Sequence, residues 1–195
     1  MIINNAVNAL PRDMGSPLLP PATATAYGPL PSPAPHTDAE LKALLSLLTA
    51  PGPPPRTRTR IRTVVVGHSR DAASRSAATA FVEAWHSAGL PVLAVVDWPE
   101  QAASWLRAAQ RFTAEEPDAW VVAAAPLGWA QMSRRLRRST GWDPARTYGF
   151  ASLADSRLPA LTGPATLHGM RGATADGGTW AVERDWVTQR PQSGP

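Results

Sequence analysis

Ser69 is the side chain whose setting most invites chemistry. It sits in Gly67-His68-Ser69-Arg70-Asp71, directly after the apolar run Thr63-Val64-Val65-Val66 and ahead of an Ala-rich stretch. A serine on a tight turn from strand to helix can act as a nucleophile if a base takes its proton and an acid orients that base. Asp97 and His168 follow it along the chain, so Ser69, Asp97 and His168 make one candidate catalytic set. Two features weigh against it. Asp71 stands where a strained nucleophile turn wants a second glycine, and only one strand precedes the turn.

The same corner can instead hold an anion. Backbone N–H groups at the start of the helix after Asp71, and of the helix opening at Pro126, suit a carboxylate or phosphate. Arg70 can add a guanidinium fork, and Trp98 or Trp129 a flat apolar wall. The candidate ligand set is therefore His68, Ser69, Arg70, Asp97, Trp98, Pro126, Gly128, Trp129 and Ser152, all just past the ends of expected strands. No cofactor is expected. The four histidines (36, 68, 86 and 168) lack metal-ligand spacing, and no Gly-rich phosphate loop follows the first strand. The absence of cysteine excludes disulfides and thiolate chemistry.

These corners need elements to hold them. Four apolar runs (61–67, 91–96, 119–125 and 147–151) alternate with three helix-like segments. Strand, crossover helix, strand without a hairpin signal implies a parallel sheet covered by helices on both faces. Such sheets bind ligands beyond the carboxyl ends of their strands. The helix after Ser69 carries Ala77, Ala80, Phe81, Ala84, Trp85 and Ala88 on one stripe, and Gly89 closes it. The next is expected to open near Pro99 with Ala102, Leu106 and Ala109 inward. The third turns Met132 and Leu136 inward and Arg134, Arg135, Arg137 and Arg138 outward. A short helix is expected at 158–161 and an edge strand at 179–182.

Ahead of the sheet, 12 of the 21 prolines fall in the first 55 residues. Residues 1–36 are expected to be a disordered Pro-rich tail, since they show no apolar period. Thr37-Asp38-Ala39-Glu40 has capping-box spacing, with Leu41, Leu44, Leu45 and Leu48 on one face. That helix and a Pro/Arg linker fill 37–60, the α/β domain 61–182, and a flexible tail 183–195. The net charge of +4 is gathered at Arg56, Arg58, Arg60 and Arg62 and at the four outward arginines. Without aromatics interleaved for base stacking, nucleic acid is not expected as a partner. No run reaches the eighteen or so residues of a membrane span. Met1–Leu10 has no basic residue ahead of its apolar ones, so the chain as given is expected in the cytosol, and outside it if the natural start lies upstream.

The order of parts from Arg62 to Trp180 resembles the second lobe of type 1 periplasmic (solute) binding proteins, the substrate receptors of ABC transporters. Carrying the resemblance are the Val-rich strand with its Ser/Arg turn, Ala78-Thr79-Ala80-Phe81-Val82-Glu83-Ala84-Trp85 closing at Ala88-Gly89-Leu90, and the strand ending at Asp97. Ala103-Ser104-Trp105-Leu106 then stands at the next crossover, followed by Pro117-Asp118-Ala119-Trp120-Val121-Val122 and Gly141-Trp142-Asp143-Pro144. Leu167-His168-Gly169-Met170-Arg171-Gly172 is similar to the family's Leu-(acid)-Gly-(apolar)-x-Gly element. The resemblance implies a three-layer α/β fold with a mostly parallel sheet of four to five strands. It also implies a non-enzymatic module binding a small, anionic solute, with a second copy or a transporter permease as protein partner. The stretch ahead of Arg62 is too short for a first lobe, so a truncated paralogue, a gene fragment or a detached sensory domain is expected. The acid and tyrosine of amino-acid receptors have no equivalent at 125–129, and amino-acid specificity is not carried over. The alternative is a small α/β serine hydrolase with Ser69 as nucleophile.

Overall fold

A computed structural model describes residues 28–50 and 61–192 of the chain. The Pro linker, Arg56, Arg58 and Arg60, and residues 1–27 lie outside the described residues. The chain-order elements are α1 (Asp38–Thr49), β1 (Val64–Ser69), α2 (Ala72–Ser87), β2 (Val92–Trp98), α3 (Leu106–Thr113), β3 (Ala119–Ala123) and α4 (Pro126–Ser139). They continue with β4 (Thr147–Gly149), α5 (Leu158–Thr162), β5 (Arg171–Ala173), β6 (Thr179–Glu183) and β7 (Trp186–Arg190).

Among the described residues one seven-stranded sheet runs in the order β2-β1-β3-β4-β5-β6-β7. The pairs from β2 across to β5 are parallel, and β5-β6-β7 is antiparallel. Val64, Val65 and Val66 are wholly buried because helices cover both faces of β1. On one face α1 and α2 pack through Leu44, Leu48, Phe81 and Trp85; on the other lie α3, α4 and α5 around Trp98, Phe112, Trp129 and Leu136. The strand alignment Gly67–Val96 and Gly67–Val122 brings the carboxyl ends of β1, β2 and β3 to one rim.

Local signals explain the best-formed helices. Thr37 accepts from the Glu40 N–H, and Glu40 answers by accepting from the Thr37 N–H, so the capping box at α1 is complete. Asp71, not Ser69, caps α2 by accepting from the Ser74 N–H at 2.8 Å. Gly67 is required by packing: a Cβ there would come within 2.5 Å of the Trp98 ring and 2.6 Å of Phe112.

The structure corrects several expectations. The sheet has seven strands rather than four or five, and β6 is interior because β7 pairs outside it. The expected C-terminal tail is thus a strand over Trp186–Arg190. Its hairpin turn, Arg184-Asp185, contains neither Gly nor Asn; Arg184 itself adopts φ 57°, so the usual two-residue signal is missing. The second crossover helix starts at Leu106, not Pro99, and Leu106 is exposed. Trp105 takes the inward place, its indole N–H donating to the Pro99 carbonyl at 3.0 Å. Residues 28–36 are described, and they lie along the carboxyl rim.

Asp118 ties the start of β1 to that of β3. Its Oδ2 accepts from the Arg62 and Thr63 N–H groups at 2.9 Å each and from the Thr63 hydroxyl at 3.1 Å. Burial pushes this carboxyl up, but the two N–H donors and the Thr63 hydroxyl outweigh it and hold it below the usual value. The native carboxyl therefore releases its proton more readily than the unfolded one. Its contribution is present at neutral pH and is lost as pH falls through the lowered native value. Asp118→Ala is expected to cost about 2 kcal/mol at neutral pH and clearly less near about pH 3, read by urea unfolding at both.

Candidate functional site

The rim residues singled out from the sequence separate into buried struts and an exposed corner. Ser69 is wholly buried, and its Oγ accepts from the Ala125 N–H at 3.0 Å, tying the end of β1 to the turn before α4. Gly128 lies against it: a Cβ there would sit 3.4 Å from Ser69 Oγ and 3.4 Å from Glu100. Pro126 opens α4 as its first residue. The Ser152 hydroxyl donates to the Ala124 carbonyl at 2.9 Å. His68 turns its Nδ1 to the Ser69 carbonyl at 2.8 Å.

Arg70 and Asp97 form an exposed ion pair, Nε to Oδ2 2.6 Å. The Arg70 hydrogen bond holds the Asp97 carboxyl below its usual value. Trp98 and Trp129 do not form an open wall. Both are wholly buried, with ring centroids 5.9 Å apart, and Trp98 packs edge-on to Phe112. Strand parity explains this: Trp98 shares its face with Val96 and Ala94, which point into the α3–α4 layer.

The candidate catalytic set is not assembled. The Ser69 hydroxyl serves the Ala125 N–H, and Asp97 serves Arg70. His168 precedes β5 at the amino ends of the parallel strands, on the opposite rim, where its Nδ1 accepts from the Arg184 N–H at 3.0 Å. Among the described residues Ser69 Oγ makes no hydrogen bond to a base, and the solute-binding reading is favoured over the hydrolase alternative.

A cleft of about 320 Å³ opens instead at the carboxyl ends of β3 and β4. One side is built by Ala73, Ser74 and Ala77 of α2 with Ala123, Phe150, Ala151, Ser152 and Asp155; the other by residues Pro31 to His36. This N-terminal strap is pinned at its two ends. Leu30 packs on the α3–α4 core, and Arg157 donates to the Pro29 carbonyl at 3.2 Å. His36 meets Phe150 edge-on at 6.1 Å, and the Thr37 hydroxyl donates to the Ala175 carbonyl at 2.6 Å. On the far side of the strap a second groove of about 430 Å³ is bounded by Glu100, Pro126 and Leu127.

The polar groups of the cleft are few. Glu40 is 3% exposed; it accepts from the Ala151 N–H with one oxygen and from Thr37 with the other. Burial raises its carboxyl above the usual value against the pull of those two N–H groups. Asp155 is held low by its hydrogen bonds with Arg157, which neutralise it. Ser74 Oγ and His36 Nδ1 are buried without a hydrogen-bond partner among the described residues, an arrangement that asks for one. Of this cleft the sequence singled out only Ser152 for binding. Glu40 was legible as a capping residue, but nothing in the pattern marked its reach to Ala151, and nothing marked Ser74, His36 or Asp155. Among the described residues no cluster suits a metal ion, and no helix is long and apolar enough to cross a membrane.

A three-layer sheet that is mostly parallel, with its cleft at the carboxyl rim, has the fold of one lobe of a type 1 periplasmic binding protein. Solved structures carry this likeness. A substrate-binding periplasmic protein from Ralstonia solanacearum superposes with TM-score 0.58 at 20% identity, over 78% of this chain and 41% of its own. An extracellular ligand-binding receptor from Rhodopseudomonas palustris HaA2 gives 0.58 at 19%, over 70% and 35%. A solute binding protein of an ABC transporter from R. palustris, in complex with benzoate, gives 0.53 at 13%, over 68% and 33%. The chain thus spans well under half the length of these proteins. No protein-family model matches it, and no curated protein matches it in sequence.

Proposed function

We propose that this chain is a small-molecule (solute) binding module and that the cleft under the strap is its binding site. The observation carrying this reading is an apolar cleft, lined by Ser74 and His36 among few polar residues, at the rim where open α/β sheets hold ligands. The volume suits a compact molecule. Ser74 lies in the first turn of α2, where backbone N–H groups and the helix dipole favour an acceptor. Prolines, alanines and Phe150 favour an apolar body. The solute class is a small carboxylic acid with an aromatic or branched apolar body, in keeping with the benzoate-bound neighbour. The module acts as one lobe of a transporter's substrate receptor, with a permease as its downstream partner. The exposed Arg70–Asp97 pair lies outside the cleft.

A thermal-shift titration with benzoate, leucine and glutamate tests this. Benzoate is expected to raise the melting temperature. Ser74→Ala is expected to weaken its binding about tenfold, the worth of one hydrogen bond to a charged acceptor. No shift from any of the three acids at millimolar concentration, or an unchanged affinity in Ser74→Ala, contradicts the proposal.

A further inference from the structure

We infer that the proline-rich strap, Pro29 to His36, is the cleft's own second wall, so that one lobe binds its solute without a second lobe or a second copy of the chain. This rests on the solute-binding reading above and concerns how that site is completed.

Three observations carry it. First, the strap stands off from the rim and leaves a cleft of about 320 Å³ between them. A segment that merely plugged the site would fill that space with its own side chains. Second, the polar lining of the cleft comes from both walls, Ser74 from the sheet domain and His36 from the strap. Third, the strap is fixed at both ends, by Leu30 and the Arg157 bond to the Pro29 carbonyl at one end and by His36 on Phe150 at the other. Prolines 29, 31, 33 and 35 hold the chain between them extended. A stiff, pre-ordered wall loses little freedom when the solute arrives.

The test is benzoate binding by calorimetry to three full-length chains: the unaltered one, Leu30→Asp, and the double variant Pro31→Gly with Pro33→Gly. The double variant loosens the strap without touching the core, so it reads the wall even if Leu30→Asp unfolds. The expected result is one benzoate per monomeric chain and an affinity at least about tenfold weaker in the strap variants. Tighter binding in the strap variants makes the strap a plug and overturns the inference while the solute-binding reading stands. Equal binding in all three, or one benzoate per two chains, overturns it in the same way. If no chain binds benzoate, the solute-binding reading itself fails and takes the wall with it.

Discussion

Gly172→Ala should lower the melting temperature by roughly 10 °C or unfold the chain outright. Gly172 lies in β5 beside Gly149 of β4. A Cβ at 172 would come within 1.9 Å of the Gly149 carbonyl oxygen and 2.5 Å of the Trp180 ring. A side chain can swing aside, but a sheet carbonyl cannot without breaking the β4–β5 pairing. Overpacking of this kind costs about 3 kcal/mol or more, which for a chain of this size is roughly 6–12 °C. The loss matters because β4 and β5 sit between the rim strands and the C-terminal hairpin, so parting them also opens the cleft at Phe150 and Ala151. Thermal unfolding followed by far-UV circular dichroism reads the effect. An unchanged melting temperature contradicts the β4–β5 register.

Ala73→Phe should abolish solute binding while leaving the fold intact. Ala73 lies in the first turn of α2, is half-buried and lines the cleft. A benzyl group there projects into space the solute needs rather than into packed core, so the expected loss in benzoate affinity is at least about a hundredfold, or about 2.7 kcal/mol. The neighbouring Ala72→Phe is the control, since Ala72 is exposed and does not line this cleft. Calorimetric titration of both variants checks it. Equal affinities in the two would place the site elsewhere.

The central strands and α1, α2 and α4 were legible because their signals are local. Val64 to Val66 and Ala119 to Ala123 are unbroken apolar runs, and Thr37-Glu40, Asp71 and Pro126 mark helix starts by chemistry that survives in any context. The C-terminal strands were not, because three residues of β5 carry no period and Arg184 turns the last hairpin without a turn residue. The strap was read as disorder on composition alone. What holds it is Leu30, one ring contact and backbone carbonyls taken by residues more than a hundred positions away, and no sequence window contains that. The two tryptophans misled for a related reason. They stand next to the rim in sequence, yet strand parity sends Trp98 into the core. The open cleft lies at the same rim as the Ser69 corner but one strand along, at β3 and β4, while Ser69 itself is packed shut.

A crystal structure of the full chain grown with 4-bromobenzoate, its bromine located by anomalous scattering, addresses the central claim most directly. The account predicts bromine in the cleft beneath the strap, between Pro31–His36 and the first turn of α2. Bromine beside Arg70 and Asp97, on the His168 rim, or nowhere on a chain soaked to saturation would contradict it.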